Sequence, residues 1–167
     1  VTIRMEDGRL VADGPRERYP NGYWVSYRVE SPDRQNLDLE AANGALSVRG
    51  VTGTIRLDTQ NGSLRLADLG GQVTARTSNG SLQVELSGST WSGEGLDATT
   101  ANGSLRVLLP ETYNARLIAS TNNGGMRVGR PVTVQGRIGK ELDTVLGSGG
   151  PTVRLRTSNG SLTIGER

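Results

Sequence analysis

The stretch Ile55-Arg56-Leu57-Asp58-Thr59-Gln60-Asn61-Gly62-Ser63-Leu64 recurs in altered form along most of this 167-residue chain. Between residues 37 and 164 its Asn-Gly pair occurs six times, at steps of 18, 18, 23, 21 and 36 residues, and the last step is twice 18. Four of the six copies read Asn-Gly-Ser-Leu in full. The pairs are Asn43-Gly44, Asn61-Gly62, Asn79-Gly80, Asn102-Gly103, Asn123-Gly124 and Asn159-Gly160. Such a period predicts a repeat architecture.

Apolar and polar residues alternate on both sides of each Asn-Gly pair. The positions six, four and two before the Asn, and three and five after it, are apolar or Thr, as in Ile55, Leu57, Thr59, Leu64 and Leu66. Alternation with period two predicts strands with one buried face. A meander of hairpins with Asn-Gly turns would alternate as well. Stacked coils are favoured, because they place each residue about 4.8 Å from its equivalent in the next rung.

We therefore predict an all-β, single-stranded parallel β-helix (a β-solenoid) over residues 37–167, with ~18 residues per rung. Two sides flank the bend, and the short Gly-rich stretches at residues 49–54 and 67–72 predict a third side. Parallel crossovers are nearly always right-handed, so we expect a right-handed, three-sided coil. Extra residues around Trp91 and Tyr113 are expected to be loops that leave the coil at a corner.

The two ends of the chain differ from the repeats. Residues 1–36 are predicted to form an N-terminal β cap, in which Val1, Ile3 and Met5 alternate with polar residues. The C-terminal rung, at residues 162–167, shows no comparable cover, so the first strand of one subunit could complete the last rung of another. The long step across residues 129–152 predicts a degenerate rung or a hairpin, with a turn at residues 147–150.

The composition excludes several classes of site. The chain has no Cys and no His, so it lacks the residues of thiolate or imidazole metal sites and the commonest general base. Its carboxylates are scattered, and no nucleotide-binding or catalytic motif is present. A net charge of +2 without a basic block does not indicate nucleic-acid binding, and no apolar run is long enough for a membrane span. We expect a protein that is not an enzyme and has no cofactor or metal.

Three side-chain columns are the candidate sites. The six Asn residues are expected to stack as a structural ladder; the alternative is a polar ladder that binds a ligand. The Asn-Gly-Ser copies also match the N-glycosylation triplet, but the repeat itself produces that match. Two residues before five of the six Asn residues stands a Thr column (Thr59, Thr77, Thr100, Thr121 and Thr157), which is expected to point inward, although an exposed Thr array would suggest ice binding. Outward Arg65, Arg106 and Arg127 form a column that could bind a polyanion, and Ser47, Gln83 and Thr163 interrupt it. A solvated charged surface is the alternative.

Residues 55–64 resemble the bacterial family of β-strand-repeat domains of unknown function that carries an adhesin label. The closing segment, from Gly149-Gly150-Pro151 to Thr157-Ser158-Asn159-Gly160-Ser161-Leu162, is similar to the same family. The resemblance covers residues 37–164. It implies a β-helical fold, export to the cell envelope or the extracellular space, and no known catalytic residues.

These observations lead to two functional hypotheses. The first is a non-catalytic extracellular or envelope structural protein, adhesin-like, that self-assembles head-to-tail into a fibre through its strand ends. The alternative is a monomeric module that binds an anionic glycan or another envelope polymer. The first residue, Val1 rather than Met, is consistent with a leader that has been removed.

Overall fold

A computed structural model describes residues 2–6, 9–13, 26–129 and 139–167. The chain divides into two compact units, Val1–Ser31 and Pro32–Arg167. In the first unit, strand β1 (Thr2–Glu6) pairs antiparallel with β2 (Arg9–Asp13). No helix occurs among the described residues, which agrees with the predicted all-β class.

The residues suggested for assembly lie at the start of the first unit. Ile3 and Met5 are in β1, opposite Ala12 and Leu10 of β2, whereas Val1 lies outside the described residues. The structure thus shows a two-stranded hairpin here, and the roles of cap and of assembly strand stay predictions.

In the second unit, the described residues form thirteen strands in two sheets. The first sheet has seven strands in the order β13-β11-β14-β9-β7-β5-β3. Their bounds are β3 (Leu37–Asn43), β5 (Thr52–Asn61), β7 (Gly70–Asn79), β9 (Gly95–Asn102), β11 (Ala115–Thr121), β13 (Glu141–Leu146) and β14 (Thr152–Asn159). The second sheet has six strands in the order β12-β15-β10-β8-β6-β4. Their bounds are β4 (Leu46–Arg49), β6 (Leu64–Ala67), β8 (Leu82–Glu85), β10 (Leu105–Leu109), β12 (Met126–Val128) and β15 (Leu162–Glu166).

The pairing between rungs is parallel and in the register of the repeat. Leu37 lies opposite Ile55, and Ile55 lies opposite Val73, so each rung is shifted by one 18-residue period. Within the two sheets of the second unit only β11 and β13 pair antiparallel. This register rules out the hairpin meander and confirms stacked parallel strands. The handedness and the number of sides stay predictions.

The last rung of the sequence is not at the end of the stack. β14 pairs with β9 on one side and β11 on the other, and β15 lies between β10 and β12 in the same way. The expectation of an uncovered C-terminal rung is therefore wrong. The rung formed by β9 and β10 is followed in sequence by the rung of β11 and β12, but the two are not adjacent in space. The C-terminal strands β14 and β15 lie between them.

The described part of the long step contains β13, which pairs with neither β12 nor β14, so these residues form neither the predicted rung nor a hairpin with one of those strands. β13 pairs antiparallel with the outer side of β11, while β14 lies on the inner side. The predicted turn at residues 147–150 joins the two, with Gly147, Gly149 and Gly150 at positive φ and the Gly149 N–H donating to the Leu146 carbonyl at 3.0 Å. The turn carries the chain past the end of β11.

The core lies between the two sheets and is filled by the inward columns. Leu57, Leu105, Leu155 and Leu162 are fully buried, as the alternation predicted. Removing an aliphatic side chain of this size from water contributes about 1.5–3 kcal/mol, so these columns are the main source of stability.

Trp91 and Tyr113 do not lie in loops that leave the coil. Their exposed fractions are 4% and 2%, and the Trp91 Nε1–H donates to the Gly71 carbonyl at 2.9 Å. The two insertions also bind each other, because the Asn114 N–H and side-chain amide both donate to the Ser89 carbonyl, at 2.8 and 2.9 Å. The extra residues therefore extend the core, and the prediction of peripheral loops is wrong.

The bend glycines are required by the close approach of neighbouring rungs. A Cβ on Gly62, Gly80 or Gly103 would overlap the carbonyl oxygen of the bend glycine in the adjacent rung, and the same holds for Gly124 and Gly160. Gly62, Gly80, Gly124 and Gly160 do not have positive φ, so the requirement there is space and not left-handed backbone.

We predict that Gly124→Ala destabilises the fold by about 1–3 kcal/mol, because its Cβ would collide with the backbone at Gly160. The adjacent Gly125→Ala is the matched control, since its Cβ would meet no atom within 4 Å. It should change the free energy of unfolding by no more than about 0.5 kcal/mol. Urea unfolding of both variants measures the difference, and equal effects would show that close stacking does not select glycine here.

Candidate functional site

The six Asn side chains form one continuous ladder along the bend. Their spatial order is Asn43, Asn61, Asn79, Asn102, Asn159, Asn123, and from Asn61 onward each Nδ2 donates to the Oδ1 of the preceding Asn at 2.8 to 3.2 Å. The predicted ladder is thus present. Asn tolerance of left-handed backbone does not explain it, because Asp68 is the one non-Gly residue at positive φ in the described chain. Because the four inner carboxamides are engaged on both sides, we interpret the ladder as structural.

The Thr column points inward, as predicted, and this orientation argues against an ice-binding array. Thr77, Thr100 and Thr157 are buried and donate to the carbonyl of the bend glycine in the adjacent rung at 3.0 Å; Thr121 does the same toward Gly160. The column thus ties each rung to its neighbour through a side-chain bond. Thr59 is the exception, since its hydroxyl is buried without a hydrogen-bond partner among the residues that the structure describes.

We predict opposite effects for two equivalent substitutions in this column. Thr59→Val replaces an unpaired buried hydroxyl by a methyl group and should leave stability unchanged or raise it by about 1 kcal/mol. Thr77→Val removes the bond to the Gly62 carbonyl and should lower the free energy of unfolding by about 1 kcal/mol. Denaturant unfolding compares them, and an equal loss in both variants would contradict the hydrogen-bond assignment.

The three candidate arginines lie on the outer face of the six-stranded sheet, in one row across the strands. The order of strands places the row as Ser47, Arg65, Gln83, Arg106, Thr163, Arg127. In sequence order Arg106 and Arg127 would be neighbours, but β15 inserts Thr163 between them. Arginine therefore alternates with a neutral polar residue, and successive arginines are about 9.6 Å apart, two strand spacings.

Among the residues that the structure describes, none neutralises the charges of these three arginines. Arg65, Arg106 and Arg127 are exposed and form no salt bridge or side-chain hydrogen bond with any residue that the structure describes. Glu85, two residues after Gln83 in β8, accepts from Gln83 Nε2 at 2.9 Å and lies 4.0 Å from Arg49. The row is therefore free to bind an anion.

A row of serines precedes the arginine row, at the start of the same strands. Ser63, Ser81, Ser104 and Ser161 are exposed, and the Ser63 and Ser81 hydroxyls lie 3.0 Å apart. These serines were not among the sites predicted from the sequence, although the Asn-Gly-Ser-Leu motif places them at a fixed distance from both the bend and the strand. They add neutral hydrogen-bonding groups beside the cations.

The outer face of the seven-stranded sheet has a different charge pattern. It carries carboxylates as well as arginines, and among the described residues two ion pairs form there: Arg154 with Asp97 at 3.8 Å and Arg116 with Asp143 at 2.8 Å. The hydrogen bond from Arg116 lowers the pKa of Asp143, and the same bond raises the pKa of Arg116. The positive charge on the six-stranded face is thus a property of that face, and not of the whole surface.

Burial raises the pKa of Tyr113 to about 12, so this phenol is neutral at physiological pH. No group of three carboxylates is arranged to hold a metal ion among residues 26–129 and 139–167. No helix in the described ranges is long and apolar enough to cross a bilayer.

Comparison with known proteins identifies a family. The profile of the Toastrack DUF4097 family, a domain of unknown function with a β-repeat fold, matches residues 26–165. Neither a curated protein nor a solved structure matches the chain. This match confirms the expected resemblance to a β-repeat family of unknown function. The adhesin label and the bacterial origin stay predictions. The match covers most of the 167 residues, and the chain belongs to the Toastrack DUF4097 family.

Proposed function

We propose that this protein is a non-catalytic binding module that holds a linear anionic polymer along the outer face of its six-stranded sheet. The observation that carries the proposal is the row of Arg65, Arg106 and Arg127, which are evenly spaced and unpaired among the described residues. An acidic glycan is the preferred ligand class, in keeping with an exported, adhesin-like protein of a bacterial envelope. The scaffold that we propose is a right-handed, three-sided coil.

The chemistry of the row suits carboxylate or sulfate groups. A guanidinium binds such groups through two parallel hydrogen bonds and keeps its charge at any physiological pH. Each exposed ion pair contributes at most about 1 kcal/mol, so useful affinity requires several pairs on one polymer. A regular row on a rigid sheet meets this requirement, because the cations are positioned before the ligand arrives.

The spacing of the row also suggests a charge pattern for the ligand. Cations about 9.6 Å apart, separated by neutral polar side chains, fit a polymer whose negative groups are similarly spaced. The adjacent Ser63, Ser81, Ser104 and Ser161 hydroxyls could bind the neutral hydroxyl groups of a sugar chain.

The head-to-tail fibre is supported less well. The internal position of β14 and β15 removes the uncovered C-terminal rung on which that hypothesis depended. Self-association through β1 stays a prediction of the sequence, and the arginine row does not require it.

We predict that Arg106→Ser with Arg127→Ser weakens binding to an immobilised uronate-rich or sulfated glycan between about threefold and thirtyfold, because two exposed ion pairs are lost. Binding of the unmodified protein should fall as salt is raised, since exposed charges are screened. Affinity chromatography and a direct binding isotherm measure both effects.

The matched control is Arg56→Ser with Arg76→Ser, which removes the same charge from the outer face of the seven-stranded sheet. This variant should bind almost as well as the unmodified protein. Equal losses in the two double variants would mean that net charge, and not the row, is responsible. Binding that is indifferent to salt and to Arg106 and Arg127 would reject the proposed function.

A further inference from the structure

The Asn-Gly bends differ in how strongly the fold restrains them. An Asn-Gly peptide can lose ammonia spontaneously when the glycine nitrogen attacks the Asn side chain, and two restraints oppose this. One is a hydrogen bond that holds the Gly N–H. The other is a side-chain amide held on both sides by the ladder, which cannot turn toward the backbone.

The first restraint is present at four bends. The N–H groups of Gly44, Gly62, Gly80 and Gly103 each donate to the Asn carbonyl of the adjacent rung, at 3.0 to 3.1 Å. The N–H groups of Gly124 and Gly160 donate to no described residue. At that junction the pairing changes, because Asn123 N–H donates to the Ser158 carbonyl at 2.7 Å.

The second restraint is present at four bends as well, but not at the same four. The carboxamides of Asn61, Asn79, Asn102 and Asn159 are bonded on both sides. Asn43 and Asn123 are the two ends of the ladder, and each is bonded on one side only within the part of the chain that the structure describes. Only Asn123 therefore lacks both restraints among the six described pairs, and it is exposed.

We propose that Asn123-Gly124 is a site of spontaneous deamidation in the folded protein. The Gly124 nitrogen attacks Asn123 Cγ, forming an N–Cγ bond while the Cγ–Nδ2 bond breaks. Nδ2 leaves as ammonia with the proton of the Gly124 N–H, and a cyclic imide remains. Water then adds to either imide carbonyl, and the ring opens to aspartate or isoaspartate.

The product would weaken the end of the stack. Asn123 Nδ2 now donates to Asn159 Oδ1 at 2.9 Å, and its conversion places a carboxylate oxygen against that acceptor. Isoaspartate also adds an atom to the backbone just before β12, which carries Arg127. As the molecule ages, the reaction would therefore disturb the strand that positions Arg127 at one end of the arginine row.

The test is peptide mapping by mass spectrometry of the folded, unmodified protein after incubation at mildly alkaline pH. Asn123 should convert at least about tenfold faster than Asn61, Asn79 and Asn102, which can react only after local opening. Asn43 and Asn159, which each keep one restraint, should have intermediate rates. In concentrated urea the six rates should become similar, because the local sequence is then the main determinant.

Three further results decide whether the proposed deamidation occurs as described. Asn123→Gln should abolish conversion at this bend, because a longer side chain closes the ring far more slowly. Equal rates at Asn123 and Asn79 in the folded protein would overturn the proposal, as would an unchanged ranking of the six sites in urea.

Discussion

The close approach of neighbouring bends is the constraint on which the rest of this structure depends. Because the carbonyl oxygen of one bend glycine occupies the space of the next glycine's Cβ, close stacking requires glycine at five of the six bends; Gly44, whose Cβ would meet no atom within 4 Å, is the exception. That contact fixes the register. Once it is fixed, the Asn amides align as a ladder, the Thr hydroxyls reach the glycine carbonyls, and the apolar columns coincide in the core. The repeated residues are therefore explained by backbone packing more than by ligand binding.

The order of the rungs in space has consequences for folding and for the surface. β11 and β12 cannot complete their pairing with the body of the stack until β14 and β15 enter between them. These contacts join residues far apart in sequence, a property that slows folding. The same insertion separates Arg106 from Arg127 and produces the even spacing of the arginine row. The candidate binding surface thus exists in its regular form only when the C-terminal segment is in place.

Much of the fold could be predicted from the sequence, because period and alternation report directly on stacking and burial. The parallel register, the inward Thr column and the Asn ladder all follow from columns aligned on the Asn-Gly pair. The position of the last rung could not be predicted, since equivalent rungs carry equivalent sequences and do not encode their neighbours. Burial of Trp91 and Tyr113 was missed for a related reason: loop length alone does not show that two insertions will pack on each other. The arginine column could be identified from the sequence. The alternation of its arginines with neutral residues could not, because it depends on the order of the rungs in space.

The most direct test of this structure is disulfide trapping of the rung order, which is simple in a chain without cysteine. Residues 106 and 163 face each other on adjacent strands, as do 127 and 163. Their spacing of about 4.8 Å suits a disulfide, whereas the ~9.6 Å between 106 and 127 exceeds the reach of one. On oxidation, Arg106→Cys with Thr163→Cys should form an intramolecular disulfide, and Arg106→Cys with Arg127→Cys should not. Ready bonding of the second pair and failure of the first would show that the rungs stack in sequence order, and would contradict the inserted C-terminal rung.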